Sequence, residues 1–362
     1  MPKLSLSMIV KDEEDSLADV LADARAFCDE LVVADTGSSD RTRQVAADAG
    51  ARVIEVPWTD DFAAARNAAL DACTGDWVLW LDADDRVPPD SQHAFATVVA
   101  DLDDDVDAVL TPYHYAFDAR GQCSFTVVRE RVLRRDAGLR WQGAVHEVVD
   151  IVGVNTREEP SLIVEHRRTP AQASRDTGRN LRILQRLYEA GDRSPRTLFY
   201  RANELRDNGR HEEAVAAYDE ALTAERPEWE RYYALTCLGQ SLQVLGRDEE
   251  ALAAALEAVR LDPGRPEAWM TAGRVHYERG HWVQAAPFFS AASTAPVRPF
   301  SGFVNDADHR WAPWDYLSVC LGNSGRHREA LEAGLRALEG GNPGADRVRA
   351  NIGWFVSELS PD

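Results

Sequence analysis

The second half of the chain repeats itself, and that repetition restricts it to one kind of architecture. The segments GRHEEAVAAYDEAL (209–222), GRDEEALAAALEAV (246–259), GHWVQAAPFFSAAS (280–293) and GRHREALEAGLRAL (325–338) share a register. Each opens on glycine and places alanine five positions later, at Ala214, Ala251, Ala285 and Ala330. A second alanine recurs twelve positions after each glycine, at Ala221, Ala258, Ala292 and Ala337, and the glycines lie 37, 34 and 45 residues apart. Glycine at such a point ends one helix in the left-handed conformation, and the small residues let the next helix approach its partner closely. One helix pair cannot bury its apolar stripe alone, so the units must stack on their neighbours. The pattern predicts an all-α solenoid over 195–362, with an insertion near 295–315 and a capping helix over 345–357.

The first half follows a different rule. LSLSMIV (4–10), LVVAD (31–35), ARVIEVP (51–57) and DWVLWLD (76–82) read as strands, and helical patterns separate them. Apolar residues at 17, 20, 21, 24 and 27 give helical spacing, and Asp40 and Gly50 are placed to cap the next helix. Alternation of this kind predicts a mostly parallel sheet with helices on both faces. After residue 107 the pattern becomes strand-rich, which predicts an added antiparallel or mixed region. The expected organisation is an α/β domain over 1–170, a connecting helix over 171–194 and the repeat domain beyond.

With 362 residues and a formal net charge of −21, the chain needs more than one core and is a poor general binder of nucleic acid. Five cysteines, odd in number and with no C-x-x-C, give neither a disulfide framework nor a zinc knuckle. The N-terminus reads as no signal peptide, and no stretch approaches the ~18 uncharged apolar residues of a membrane span. The expectation is a cytoplasmic protein without a membrane span.

The fourth strand ends in LDADDRVPP, which places Asp82, Asp84 and Asp85 within four positions. Asp82 and Asp84, at i and i+2 beyond a strand, can project from the same side. In a doubly wound sheet, ligands bind outside the carboxyl ends of the strands. Two carboxylates converging there repel unless a cation neutralises them, and Mg²⁺ or Mn²⁺ held against a diphosphate suits an all-oxygen site. A solvated acidic turn ahead of Pro88-Pro89 would read the same way. The other strands also deliver acids to this edge: Asp35 and Asp40 after the second, Asp12 and Glu13 after the first.

Four ordered segments, VKDEED, VADTGSSDRT, AARNAAL and GDWVLWLDADD, together resemble the family 2 glycosyltransferases, which have a GT-A fold. The first departs from the family pattern, with Lys-Asp-Glu where Asn-Glu is usual. The helical half resembles the tetratricopeptide repeat, although a repeat-ending proline is clear only at Pro263. The resemblance implies an α/β GT-A domain followed by an all-α tetratricopeptide-repeat solenoid. It implies a UDP-linked nucleotide-sugar donor whose base is read by Asp35, with Glu13 near the ribose or base. It places Arg66 near the nucleotide or its phosphates, Asn67 as a brace for the loop, Asp82 at the ribose or sugar and Asp84 on the metal, Mn²⁺ or Mg²⁺. His166, in SLIVEHRRT, stands where such enzymes can carry a third metal ligand.

An inverting transfer needs a group to take the acceptor's proton. WQGAVHEVVD (141–150) supplies Glu147 as the candidate base, with His146 beside it. On a strand these two would face opposite sides, so both matter only if the segment is a loop. Asp118 and Asp136 are the next candidates. The repeat domain would take a peptide, protein or glycan acceptor. A non-catalytic repeat scaffold with a nucleotide-binding pseudo-transferase domain is the alternative, against which the intact DADD and DTGSSD segments count. No Gly-rich loop follows an early strand, which argues against a nucleotidyltransferase and a dinucleotide-binding dehydrogenase.

Overall fold

Strand β1 (Leu4–Val10) is buried along almost its whole length, its serines included. A strand covered on both faces lies in the middle of a parallel sheet. It pairs in parallel with β2 (Glu30–Asp35) on one side and with β4 (Trp77–Trp80) on the other, and β3 (Arg52–Glu55) extends the sheet beyond β2. The computed structural model describes residues 2–117, 121, 123–168, 178–296 and 305–360. Asp118, residues 171–177 of the expected connecting helix and residues 297–304 of the expected insertion lie outside that set.

Helices cover both faces of this sheet. Leu4, Leu6, Met8 and Val10 pack with Leu17, Val20, Leu21 and Ala24 of α1 (Leu17–Arg25) and with Phe95 and Val99 of α4 (Pro89–Ala100). On the opposite face, Val32 and Val78 pack with Leu70 of α3 (Phe62–Ala72). The N-cap of α2 (Thr42–Asp48) is Arg41 rather than the expected Asp40, whose Oδ1 accepts from the Thr42 amide at 2.9 Å in a local turn just before it. Gly50, at φ 76°, closes the same helix.

The strand-rich region adds mixed pairing. The sheet runs β3-β2-β1-β4-β7-β6-β11-β5, with β7 (Cys123–Arg134) antiparallel to both β4 and β6 (Ala108–Phe117). β11 (Val164–His166) lies parallel to β6, and β5 (Asp85–Arg86) runs antiparallel to β11 with His166 opposite Asp85. β10 (Thr156–Glu158) also joins β6. β8 (Trp141–Gln142) and β9 (Val148–Val149) form a separate hairpin.

The chain forms two compact units, Met1–Arg186 and Leu187–Asp362, and the division falls within α5 (Arg179–Glu189). The second unit is helical throughout its described length. Its helix pairs are α6 (Pro195–Asp207) with α7 (His211–Thr223), α8 (Glu228–Val244) with α9 (Asp248–Leu261), α10 (Pro266–Tyr277) with α11 (Trp282–Ser293), and α13 (Ala312–Asn323) with α14 (His327–Glu339). The short α12 (Asp306–Arg310) precedes the last pair, and α15 (Ala345–Leu359) packs on α14. The four register glycines all sit between paired helices with φ of 71–76°. Ala214, Ala251, Ala285 and Ala330 are completely buried.

Candidate active site

The parallel register brings the carboxyl ends of β1, β2 and β4 to one edge, and β1 lies between the other two. The loops after β1 and β2 are stitched together there. The Asp12 amide donates to Ser38 Oγ at 2.9 Å, and Asp12 Oδ1 accepts from the Ser39 amide at 2.7 Å. The Glu13 amide donates to Thr42 Oγ1 at 2.7 Å, and the Glu14 amide to Asp40 Oδ2 at 3.1 Å. Asp12 has a positive φ of 54°, which bends the chain sharply at the end of β1.

Asp35, at the last position of β2, is 1% exposed. Its carboxylate accepts from the amides of Gly37 and Ser38 at 3.1 and 3.0 Å, a local turn that mimics backbone pairing. Glu13 Oε2 accepts from Ser16 Oγ at 2.9 Å, at the start of α1.

Past β4 the three aspartates separate. Asp85 turns inward and is fully buried. It meets Arg131 Nη1 at 2.9 Å, the Tyr113 hydroxyl at 2.7 Å and the Asp82 amide at 2.9 Å. Arg131 is also fully buried, and its guanidinium lies against the Trp80 and Tyr113 rings. Asp82 and Asp84 are left on the outer side of the turn, with side chains 33% and 19% exposed.

Arg66 joins two segments remote in sequence. From α3 its Nη2 donates to Asp82 Oδ1 at 2.7 Å and its Nε donates to Glu147 Oε1 at 2.6 Å. Its guanidinium lies 4.9 and 4.8 Å from the Trp80 and Trp141 ring centres. Glu147 reaches it because residues 143–147 are the loop of the β8–β9 hairpin, with positive φ at Gly143 and His146. Asn67, the next residue on α3, holds that hairpin through both its amide atoms. Its Nδ2 donates to the Trp141 carbonyl and its Oδ1 accepts from the Trp141 amide, each at 3.0 Å.

The expected metal pair also comes together. His166 Nδ1 lies 3.6 Å from Asp84 Oδ1 and 2.8 Å from the Tyr113 hydroxyl. Since that hydroxyl donates to Asp85, the hydrogen-bond network assigns the proton of the second bond to Nδ1. The neutral ring then carries its lone pair on Nε2, as in histidines whose other nitrogen is anchored behind a metal site. Tyr115 stacks on the imidazole at 4.9 Å and 8°.

The charges at this edge are unevenly compensated. Burial works against ionisation of Asp82, but Arg66 and Arg131 hold its carboxyl below the usual range. Burial, with Asp82 and Asp85 close by, pushes the Asp84 carboxyl up to about 7 despite His166. Burial disfavours the imidazolium of His166, yet Asp85 and Asp84 raise its pKa above the ordinary value. Among the described residues Asp84 has no arginine or lysine ion-pair partner, and His166 is the titratable base beside it.

Two clusters result: Asp82, Arg66 and Glu147 in one, and Asp84 and His166 in the other, joined by the 82–85 turn. The hydrogen bonds given above for Asp35 and Glu13 run within and between the segments that follow β1 and β2. Asp136 lies in the short 3₁₀ turn Arg135–Ala137 after β7. The sequence reading missed Arg131, Tyr113 and Tyr115. The third acid of DADD was a signal, since a carboxylate directed into a core demands a buried cation.

The family Glycosyl transferase family 2 matches residues 5–150. The first unit carries a family 2 glycosyltransferase domain. The Tetratrico peptide repeat family matches residues 195–268, so the glycosyltransferase domain of GT-A type is followed by tetratricopeptide repeats. A TPR repeat-containing protein of Synechococcus elongatus is 40% identical over 150 residues, covering 41% of this chain and 36% of that protein. An uncharacterized glycosyltransferase of Rickettsia typhi is 32% identical over 105 residues, covering 29% and 36%. The SPbeta prophage-derived glycosyltransferase SunS of Bacillus subtilis is 23% identical over 231 residues, covering 59% and 52%. The chain thus spans between about a third and a half of the length of these relatives. Among the described residues no helix is long and apolar enough to cross a membrane.

Proposed function

We propose that the chain is a metal-dependent, inverting glycosyltransferase that moves a sugar from a UDP-linked donor to a peptide or protein acceptor in the cytoplasm. The observation that carries the reading is the meeting of Asp82, from the sheet edge, and Glu147, from the hairpin loop, on Arg66. It sets a donor-side carboxylate and a candidate base around one point at the carboxyl end of the sheet. The relatives named as glycosyltransferases support the same class of chemistry.

In this reading Asp35 takes the edge of the nucleobase, and Glu13 and Asp82 take the ribose and sugar side. Glu147 accepts the proton of the acceptor hydroxyl or thiol. The acceptor oxygen or sulfur bonds to the anomeric carbon from the face opposite the leaving group. The bond from that carbon to the diphosphate oxygen breaks, and the nucleoside diphosphate departs with the electron pair. Asp84, Asp85 and His166 each offer a ligand atom within 4.8 Å of the others, a donor set that fits Mn²⁺ or Mg²⁺. A divalent ion bound there supplies positive charge to the diphosphate. The repeats would take the acceptor, because stacked helix pairs offer extended binding surfaces.

The deciding experiment is a panel of UDP- and GDP-linked sugars with Mn²⁺, with Mg²⁺ and with excess chelator. Turnover of a UDP-sugar that stops on chelation is expected. Turnover of no nucleotide sugar refutes the transferase reading, and tight UDP binding in chelator refutes the metal dependence.

A further inference from the structure

The resemblance to the glycosyltransferase family places Arg66 at the nucleotide or its phosphates, but its surroundings suit another task. The side chain is 9% exposed and packs against two indoles. Its Nε and Nη2 are directed at Glu147 and Asp82. The two carboxylates on its Nε and Nη2 would repel a phosphate brought to this guanidinium. We propose that Arg66 is a positioning residue that holds the donor-side carboxylate Asp82 and the base Glu147 in one fixed geometry. The inference rests on the transferase reading above and deepens it.

Each carboxylate gives one oxygen to Arg66, Oδ1 of Asp82 and Oε1 of Glu147. Arg129 lies within electrostatic range of both side chains, and in this proposal Oδ2 of Asp82 and Oε2 of Glu147 serve donor and acceptor. A glutamate has three rotatable side-chain bonds, so an unanchored Glu147 on a hairpin loop would sample many positions for its proton-accepting atom. Effective proton transfer requires that atom within hydrogen-bond reach of the acceptor, and a misplacement of about 1 Å costs about 100-fold in rate. Glu147 is also 11% exposed, and its charge needs a cation close by in that setting. The planar guanidinium meets both demands with two fixed donor directions, whereas a lysine ammonium is a point charge on a flexible stem. The anchor itself is fixed by Trp80 and Trp141, whose rings meet edge to face at 4.8 Å. Asn67 pins the Trp141 backbone from the same helix.

The test uses the full chain with Mn²⁺, the UDP-sugar that the unaltered chain turns over, and calorimetric titration with UDP. Arg66→Lys, Glu147→Gln and the double variant are compared, each checked by circular dichroism and thermal melting. Arg66→Lys should lower kcat by roughly 10- to 100-fold, and the loosened Asp82 should raise donor KM and the Kd for UDP by clearly less than about tenfold. Glu147→Gln should lose about 10²- to 10⁴-fold in kcat, and adding Arg66→Lys should cost less than about 3-fold more, because the geometry it sets no longer serves a base. A tenfold or greater rise in the UDP Kd of Arg66→Lys with kcat preserved assigns Arg66 to the phosphates and overturns the proposal. Losses that multiply in the double variant overturn it as well. If the unaltered chain turns over no nucleotide sugar, the transferase reading fails and takes this inference with it. Turnover by the unaltered chain with either adverse result above sinks the inference alone.

Discussion

Asp84 and Asp85 are neighbours in sequence and opposites in environment. Asp85 is the only carboxylate that meets the fully buried Arg131 among the described residues, while Arg131 Nε and Nη2 have no partner there. Asp85→Asn therefore leaves a buried guanidinium uncompensated and should destabilise the first unit by roughly 3–5 kcal/mol, read as a lower urea midpoint. An unchanged midpoint would show that Arg131 is satisfied without it. Asp84→Asn removes one carboxylate from a group that repels itself, so melting should be unaffected or slightly improved. The same change should abolish the Mn²⁺ dependence of UDP binding, and retained dependence would remove Asp84 from the metal site. Nothing in the string DADD says which acid turns inward. That follows from Arg131 and Tyr113, 46 and 28 residues further along the chain.

Among the elements, the repeats were the most legible, because one helix pair follows another and each contact is local. The glycine and alanine register reappears as loop glycines of positive φ and as buried alanines. A third small position, seven residues before each loop glycine, became visible only in the packing: Ala202, Gly239, Gly273 and Ser318. A Cβ at Gly273 would lie 2.6 Å from the ring of Phe289, which is completely buried. Gly273→Ala should thus destabilise the second unit by about 1–3 kcal/mol. A melting temperature equal to that of the unaltered chain would mean the ring swings aside at no cost. The sequence of 141–150 leaves strand and loop both open. Gly143 and His146, both with positive φ, make residues 143–147 a loop, and only a loop carries Glu147 to Arg66.

For the whole molecule, the two units set where the chain can be divided. Arg182 and Arg186 of α5 pair with Asp60 at 3.2 and 2.7 Å, and Arg179 lies 4.7 Å from the Phe62 ring. A fragment ending at residue 186 keeps these contacts, whereas one ending near 170 strips them away. The 1–186 fragment should bind UDP with Mn²⁺ and hydrolyse the donor slowly, but transfer nothing to a peptide acceptor. Full transfer by the soluble fragment would refute the role given to the repeats. By itself the sequence determined the two fold types, their order and the strand edge that gathers the acids, because each rests on periodicities that neighbouring residues express. It also singled out Asp35, Arg66, Asp82, Asp84, Glu147 and His166 for attention. Only the tertiary structure decided which of them meet. Arg66 and Glu147 are 81 residues apart, and Tyr113 and His166 are 53 apart. Such pairings depend on strand order, loop conformation and competition among charges for a few buried partners, none of which is written in local spacing.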